Sequence, residues 1–194
     1  MNLPNKLTLL RVLLIPFFLL FMYIDIPCHY LIALVIFAAA SITDALDGHI
    51  ARKNNLVTNF GKFLDPLADK VLVISALTVF VEMDEVKMGA IPLMIIIARE
   101  FMVSGLRLLA ADSGVVVAAG IWGKLKTAFT MVAIVATLFW LSVCRDFDLG
   151  IPSGFCKAVD NVFIPILIWI SVVLTVISGA VYLKGYWHLI DSDK

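Results

Sequence analysis

The chain has 194 residues, of which 62% are hydrophobic and 15% carry a charge. Soluble domains are about half apolar and about a quarter charged, so this composition indicates a membrane protein. The formal net charge is zero, which gives no reason to expect a nucleic-acid partner.

Six apolar segments of about 20 residues, the length of a membrane-spanning helix, follow one another along the chain. They lie near 7–26, 30–48, 60–82, 89–111, 121–143 and 162–183, separated by turn and charge signals. The first is longer than the apolar region of a signal peptide and lacks a cleavage site, so we expect it to be retained. None of the segments alternates in strand fashion. The sequence therefore predicts an all-α integral membrane protein with six transmembrane helices, forming one catalytic domain over residues 1–194.

Lysine and arginine predict the orientation. With six spans, both termini share one side with the loops at 49–59 and 112–120, and that side with its helix ends holds twelve of the fifteen basic residues. The other side holds only Lys87, Arg145 and Lys157. The positive-inside rule therefore predicts that the N- and C-termini are cytoplasmic.

The three cysteines, Cys28, Cys144 and Cys156, fall on the predicted outer side. Their spacing does not fit a metal site, and a disulfide bridge between Cys144 and Cys156 is left open.

Four aspartates stand at the cytoplasmic ends of the second and third segments. Asp44 and Asp47 are three residues apart on one helix face, and Asp65 and Asp69 are four apart on another. A hairpin between the two segments brings these faces together, where four carboxylates repel one another unless they are protonated or bind metal. Hard divalent cations such as Mg²⁺ or Mn²⁺ take all-oxygen ligands, so the pattern predicts a site for two metals.

Separate structural roles are the alternative. Asp65 precedes Pro66 and fits a helix N-cap followed by a proline at the first helical position. Asp44 fits an ion pair with Arg52 or Lys53.

Small residues accompany the aspartates. Gly48 follows Asp47 directly, Ala51 lies one turn on, and Gly61 precedes Asp65 by one turn. Such positions permit close helix packing or leave room for a flat ligand such as a base. Arg52 adds a bidentate phosphate donor, so the combination points to a nucleotide diphosphate.

The eight positions form the pattern D-x2-D-G-x2-A-R-x8-G-x3-D-x3-D, filled by Asp44, Asp47, Gly48, Ala51, Arg52, Gly61, Asp65 and Asp69. This pattern resembles, without departure, the signature of the CDP-alcohol phosphatidyltransferase family. The stretches NLPNKLTLLRVLLIPFF, GKFLDPLADKVLV, AREFMVSGLRLLAADSG and GKLKTAFTMVAI are similar to its bacterial branch that forms phosphatidylglycerophosphate. The resemblance covers roughly residues 2–135, and the last segment is similar in hydropathy alone.

The resemblance implies a reaction. These enzymes attack the β-phosphorus of CDP-diacylglycerol with an alcohol hydroxyl and release CMP, and this branch uses glycerol 3-phosphate. The resemblance also implies that the four aspartates hold two Mg²⁺ or Mn²⁺ ions and that Asp69 takes the hydroxyl proton. The residues it assigns to CDP-diacylglycerol are Asn5, Thr8, Gly48, Ala51, Arg52 and Gly61. It further implies a homodimer in the bacterial plasma membrane, with the active site facing the cytoplasm.

The acceptor phosphate needs a cationic pocket of its own. Arg99 and Arg107 are eight residues apart in the fourth segment, and Lys124 and Lys126 open the fifth. Cations inside apolar segments are costly, so a phosphate partner explains them. The alternative is positive-inside anchoring by snorkelling side chains, with Glu100 as the ion-pair partner of Arg99.

Three rival functions remain open. A cardiolipin synthase or another member of the family would use a different acceptor, such as phosphatidylglycerol, inositol phosphate, serine or choline. Membrane prenyltransferases also bind diphosphates through aspartate pairs, but their two motifs are widely separated. A divalent-cation transporter would place its acids mid-span on broken helices, whereas these stand at helix ends.

Overall fold

The computed structural model describes residues 3–53, 59–112, 120–147 and 151–190. Within these ranges, only the backbone is described for residues 3–4, 45–53, 59–63, 65–66, 112 and 188–190. The described residues form helices and turns, with no strand among them. The all-α prediction is confirmed for this part of the chain.

In the described part of the chain, six long helices overlap the six predicted apolar segments. They are α1 (Leu3–Tyr23), α2 (His29–Lys53), α3 (Asn59–Glu82), α4 (Ala90–Asp112), α5 (Ile121–Leu141) and α7 (Ile164–Ile190). A short helix, α6 (Ser153–Ala158), precedes α7, and π-helical segments occupy Ser142–Asp146 and Val159–Phe163. Continuous helical structure from Ser153 through α7 therefore begins before the last predicted segment, near 162–183, and ends after it.

Three helical stretches in the described part are long and apolar enough to cross a membrane. They are Asn5–Tyr23, Ile121–Asp146 and Ser153–Trp187. The apolar stretch His29–Asp44 of α2 is shorter, and the side chains of α2 that follow it are outside the described ones. Length and apolar composition thus support a membrane protein through three of the six predicted spans.

The buried face of α1 changes from polar to apolar along the helix. Residues spaced by three or four positions line this face: Asn5, Thr8, Arg11, Ile15, Phe18 and Met22. Side chains at this spacing lie on one side of a helix, and α1 packs most extensively against α2 and then α3. The start of α1 therefore brings polar groups into the bundle, and its second half joins the apolar core.

The core includes buried apolar side chains of α1, α2, α3, α5 and α7, together with Ile96 of α4. Phe18 and Phe37 meet with ring centroids 5.7 Å apart. Phe80, Ile134 and Leu138 are completely or almost completely buried in the same cluster. In lipid, water exclusion does not drive helices together, so the close packing of these side chains determines which helix faces meet.

Polar contacts also hold the end of the bundle that lies away from Arg11. Asp146 accepts hydrogen bonds from the backbone N–H groups of Tyr30 (3.4 Å) and Leu31 (2.7 Å) at the start of α2. An anion is favourable there because the N–H groups of a first helical turn lack helical partners. Asp160 receives the indole N–H of Trp140 at 2.9 Å, which ties the Val159–Phe163 segment to α5.

Two alternatives left by the sequence are settled. Helix α3 begins at Asn59, so Asp65 and Pro66 lie inside it and the N-cap interpretation of Asp65 is wrong. The helix starts earlier because polar residues outside the apolar run still form helix. Cys144 and Cys156 are free thiols, as is Cys28, so the bridge is not formed.

Candidate active site

An ion pair joins the start of α1 to the end of α2. Arg11 is completely buried, and its Nη1 lies 2.8 Å from Oδ1 of Asp44. Asn5 and Thr8 are buried on the same face of α1 as Arg11. Two residues predicted to bind CDP-diacylglycerol therefore share a helix face with the partner of a predicted metal ligand.

Arg11 was not predicted as a site residue. The available signal was an arginine inside the first apolar segment, where a cation needs a partner. The positive-inside interpretation explained it as an anchor, but a snorkelling anchor would reach water. Complete burial shows that Arg11 does not snorkel; it pairs with Asp44, whose side chain is 41% exposed.

Asp69 lies on α3, half-buried, among charges from four other helices. It interacts electrostatically with Asp44 of α2 and Glu100 of α4, which repel it, and with Arg11 and Lys126, which attract it. The predicted ligands Asp44 and Asp69 thus belong to one electrostatic cluster, although they are 25 positions apart in the sequence.

A small cavity borders Asp69. It encloses about 50 Å³, room for a few water molecules. Its charged lining residues are Asp69 and Lys70 from α3, Glu100 from α4, and Lys126 from α5, and Thr127 and Thr130 of α5 line it as well. Apolar side chains close the remainder, among them Val73, Ile74, Ile96 and Met131.

Glu100 is the anionic centre of the basic residues. Its Oε1 accepts hydrogen bonds from Nη1 of Arg99 at 3.0 Å and from Nζ of Lys126. The predicted Arg99–Glu100 ion pair is confirmed, and Lys126 shares it. Arg99 also donates through Nη2 to the hydroxyl of Ser178 on α7 at 2.6 Å. The Glu100 carboxylate thereby contacts Arg99 of α4 and Lys126 of α5, and Lys126 lines the cavity.

Lys70 is held by a second contact between α3 and α4. Its Nζ donates to the hydroxyl of Ser104, which donates in turn to the backbone carbonyl of Glu100 at 2.7 Å. Lys70 and Glu100 therefore face the cavity as parts of one hydrogen-bonded unit.

The four predicted acceptor residues do not all share one setting. Arg107 donates through Nη2 to the hydroxyl of Tyr182 at 3.0 Å, and Arg99 lies 5.6 Å from the centroid of the same ring. Lys126 is buried at the cavity wall, whereas Lys124 is exposed and outside the residues that line it. The structure thus brings Arg99 and Arg107 together at Tyr182, and Lys126 to Glu100.

Several predicted residues lie outside those with described side chains. They are Asp47, Gly48, Ala51, Arg52, Gly61 and Asp65. Their backbone belongs to the end of α2 and the start of α3.

The chemistry of the described aspartates fits a divalent cation. Asp44 and Asp69 offer carboxylate oxygens from neighbouring helices, and such hard donors are preferred by Mg²⁺ and Mn²⁺. No group of three or more possible ligands forms among the residues with described side chains. The other two predicted ligands, Asp47 and Asp65, are not among those residues.

Comparison with known proteins identifies the family. The model of the family described as CDP-alcohol phosphatidyltransferase matches residues 1–177, and the chain belongs to this family. The match extends beyond residue 135, into α7.

Individual relatives are similar over most of their length. A protein of Bacillus subtilis (strain 168) named CDP-diacylglycerol–glycerol-3-phosphate 3-phosphatidyltransferase is 41% identical over 205 residues, covering 100% of this chain and 99% of its own. A protein of the same name from Rickettsia bellii is 40% identical over 95% of this chain and 94% of its own. Another, from Haemophilus influenzae, is 44% identical over 72% and 76%.

Proposed function

We propose that this protein is an enzyme that transfers the phosphatidyl group from CDP-diacylglycerol to sn-glycerol 3-phosphate, giving phosphatidylglycerophosphate and CMP. The observation that carries the proposal is the identity of 40–44% to relatives named for this reaction. The geometry supports it independently, because carboxylates and cations meet at one cavity. An enzyme that joins two phosphate-bearing substrates needs both kinds of group.

Asp44, Asp47, Asp65 and Asp69 are the proposed ligands of divalent metal, either Mg²⁺ or Mn²⁺, with two ions per site. Members of the family generally depend on divalent metals. When bound, the metal neutralises charge on the transferred phosphoryl group and on the CMP that leaves.

Asp69 is the proposed general base. It accepts the proton from the acceptor hydroxyl as that oxygen bonds to the β-phosphorus and the bond from phosphorus to the CMP oxygen breaks. Asp69 and Lys126 line the same cavity, and the positive charge of Lys126 attracts the carboxylate of Asp69. Arg11 holds Asp44 in place on the opposite side of the cluster.

Lys126, Arg99 and Arg107 are proposed to bind the phosphate of glycerol 3-phosphate. Lys126 stands at the cavity beside Asp69, which places a cation near the proposed base. Arginine side chains suit a phosphate because their planar fork donates two parallel hydrogen bonds. Lys124 is exposed, and its proposed role is to steer anionic substrates toward the site.

The CDP-diacylglycerol side of the site is proposed to consist of one set of residues on α1 and another at the α2–α3 hairpin. Asn5 and Thr8, buried on α1, contact the nucleotide. Arg52 binds the diphosphate, and the cytidine lies in the space left by Gly48, Ala51 and Gly61.

The membrane setting is proposed from the sequence pattern. It consists of six spans in the bacterial plasma membrane, cytoplasmic termini, an active site open to the cytoplasm, and a homodimer. Labelling of Cys28, Cys144 and Cys156 by a membrane-impermeant maleimide tests the orientation, because all three lie on the proposed outer side. Reaction from the cytoplasmic side alone would contradict it.

An acceptor panel tests the reaction. Purified protein receives CDP-diacylglycerol, Mg²⁺ and one acceptor at a time: glycerol 3-phosphate, phosphatidylglycerol, inositol phosphate, serine or choline. We expect CMP release with glycerol 3-phosphate and little with acceptors that lack a free phosphate group, because three basic residues stand at the proposed pocket. Preferred use of phosphatidylglycerol would instead identify a cardiolipin synthase.

A further inference from the structure

Two arginines converge on the ring of Tyr182. The guanidinium carbons of Arg99 and Arg107 each lie 5.6 Å from its centroid. The hydroxyl of Tyr182 accepts a hydrogen bond from Nη2 of Arg107 at 3.0 Å. Tyr182 is 4% exposed and Arg99 8%, whereas Arg107 is exposed, so the ring meets one buried arginine and one that reaches the surface. It lies in the part of α7 that follows the family match, which ends at residue 177.

The same hydroxyl also holds the start of α5. The backbone N–H of Gly120, the residue before α5, donates to it at 3.1 Å. The ring also packs against the first turn of α5, since a Cβ on Gly123 would lie 3.4 Å from Cε2 and from the hydroxyl oxygen of Tyr182, an ordinary contact distance. One side chain on α7 thereby fixes α4, which carries the arginines, relative to α5, which carries Lys126.

Two cations so near one another repel, and the arrangement must offset that cost. Arg99 is partly neutralised by Glu100 at 3.0 Å. Arg107 makes no ion pair within the described part of the chain, and its polar partner there is the neutral hydroxyl of Tyr182. A ring face attracts a cation by about 0.5–2 kcal/mol without removing its charge. Tyr182 can therefore gather positive charge that stays available to an anion.

We infer that Tyr182 is a positioning residue of the acceptor pocket, which aims Arg99 and Arg107 at the phosphate of glycerol 3-phosphate. The inference rests on the proposed function and adds a residue to it. A residue that supported the fold alone would affect both substrates alike, whereas Tyr182 acts on the acceptor through the arginines.

Two substitutions separate the hydroxyl from the ring. Tyr182→Phe keeps the ring and removes the hydrogen bonds to its hydroxyl, so we expect the KM for glycerol 3-phosphate to rise about threefold to tenfold. Tyr182→Leu removes the ring as well and should raise it about tenfold to hundredfold. The KM for CDP-diacylglycerol should stay within about twofold in both variants, and kcat of Tyr182→Phe likewise. Tyr23→Phe is the matched control, since it removes a hydroxyl bonded to Glu82 at the other end of the bundle.

A double-mutant cycle tests whether Tyr182 acts through Arg107. In an Arg107→Ala background, Tyr182→Phe should change the acceptor KM by less than about twofold more, because the group that it positions is absent. Additive effects would overturn the role through Arg107. An equal loss for both substrates, or a large fall in melting temperature of Tyr182→Phe, would show a purely structural role.

The two proposals fail in different ways. Wild-type protein that releases no CMP with glycerol 3-phosphate overturns the proposed reaction, and the acceptor role of Tyr182 with it. Wild-type protein that is active with glycerol 3-phosphate, but whose Tyr182→Phe variant keeps the same acceptor KM, overturns the role of Tyr182 alone.

Discussion

Lys126 and Lys124 provide a direct test of the acceptor pocket. The two residues lie two positions apart near the start of α5 and look alike in the sequence. Lys126 is 8% exposed and lines the cavity, whereas Lys124 is exposed and does not line it. Replacing either by methionine removes one positive charge while keeping an unbranched side chain of similar length. Only Lys126→Met removes that charge from the cavity wall.

The structure sets the expected size of the effect. Lys126 shares Oε1 of Glu100 with Arg99, which stays 3.0 Å away in the variant, so the carboxylate keeps a partner and the fold should survive. Water screens a charge at this buried position less than it screens an exposed one. A hydrogen bond to a charged group contributes about 1.5–3 kcal/mol, so the KM for glycerol 3-phosphate should rise about tenfold to hundredfold.

Steady-state CMP release in mixed micelles measures this, with glycerol 3-phosphate varied at saturating CDP-diacylglycerol and then the reverse. Lys124→Met should change either KM by less than about twofold, because exposed charges contribute little. Lys126→Arg should recover part of the loss, since the charge returns on a larger planar group. Equal effects of Lys124→Met and Lys126→Met would refute the reasoning, as would a Lys126→Met variant that loses both substrates equally.

Three further predictions concern the metal, the base and the packing around Arg99. EDTA should abolish CMP release and added Mg²⁺ or Mn²⁺ should restore it, because carboxylates gathered in one site need cations; full activity of protein shown metal-free by elemental analysis would contradict this. Asp69→Asn should still bind CDP-diacylglycerol but lose at least about 10² in turnover, as loss of a general base predicts; normal turnover would exclude Asp69 as base. Gly179→Ala would place a Cβ 3.2 Å from Cγ of Arg99, so the acceptor KM should rise about threefold or more. Gly185→Ala on the same helix, with no atom within 4 Å of the added Cβ, is the control, and equal effects of both would show a general effect of alanine on α7 and not its contact with Arg99.

Composition and motif spacing were sufficient to predict an all-helical membrane protein of its family, whereas the aspartate ligands stay a prediction. A chain with 62% hydrophobic residues favours helices in a membrane, because unsatisfied backbone groups are too costly in lipid. The ends of the helices were predicted less well from the sequence. Hydropathy ended the second segment near residue 48, but α2 continues to Lys53. Hydropathy marks where lipid contact ends, whereas polar residues continue a helix beyond it.

The tertiary structure alone decided which charges meet. The sequence counted Arg11 among the basic residues of the predicted cytoplasmic side, predicted Asp44 as a metal ligand, and assigned both Lys124 and Lys126 to the acceptor phosphate. In the fold, Arg11 pairs with Asp44, and only Lys126 reaches the cavity. Helical periodicity tells which residues share a face, but the neighbour of that face depends on how each helix is rotated and packed. Tyr182 shows this most clearly, because its hydroxyl can bond to Arg107 and Gly120 only when α4 and α5 lie against α7.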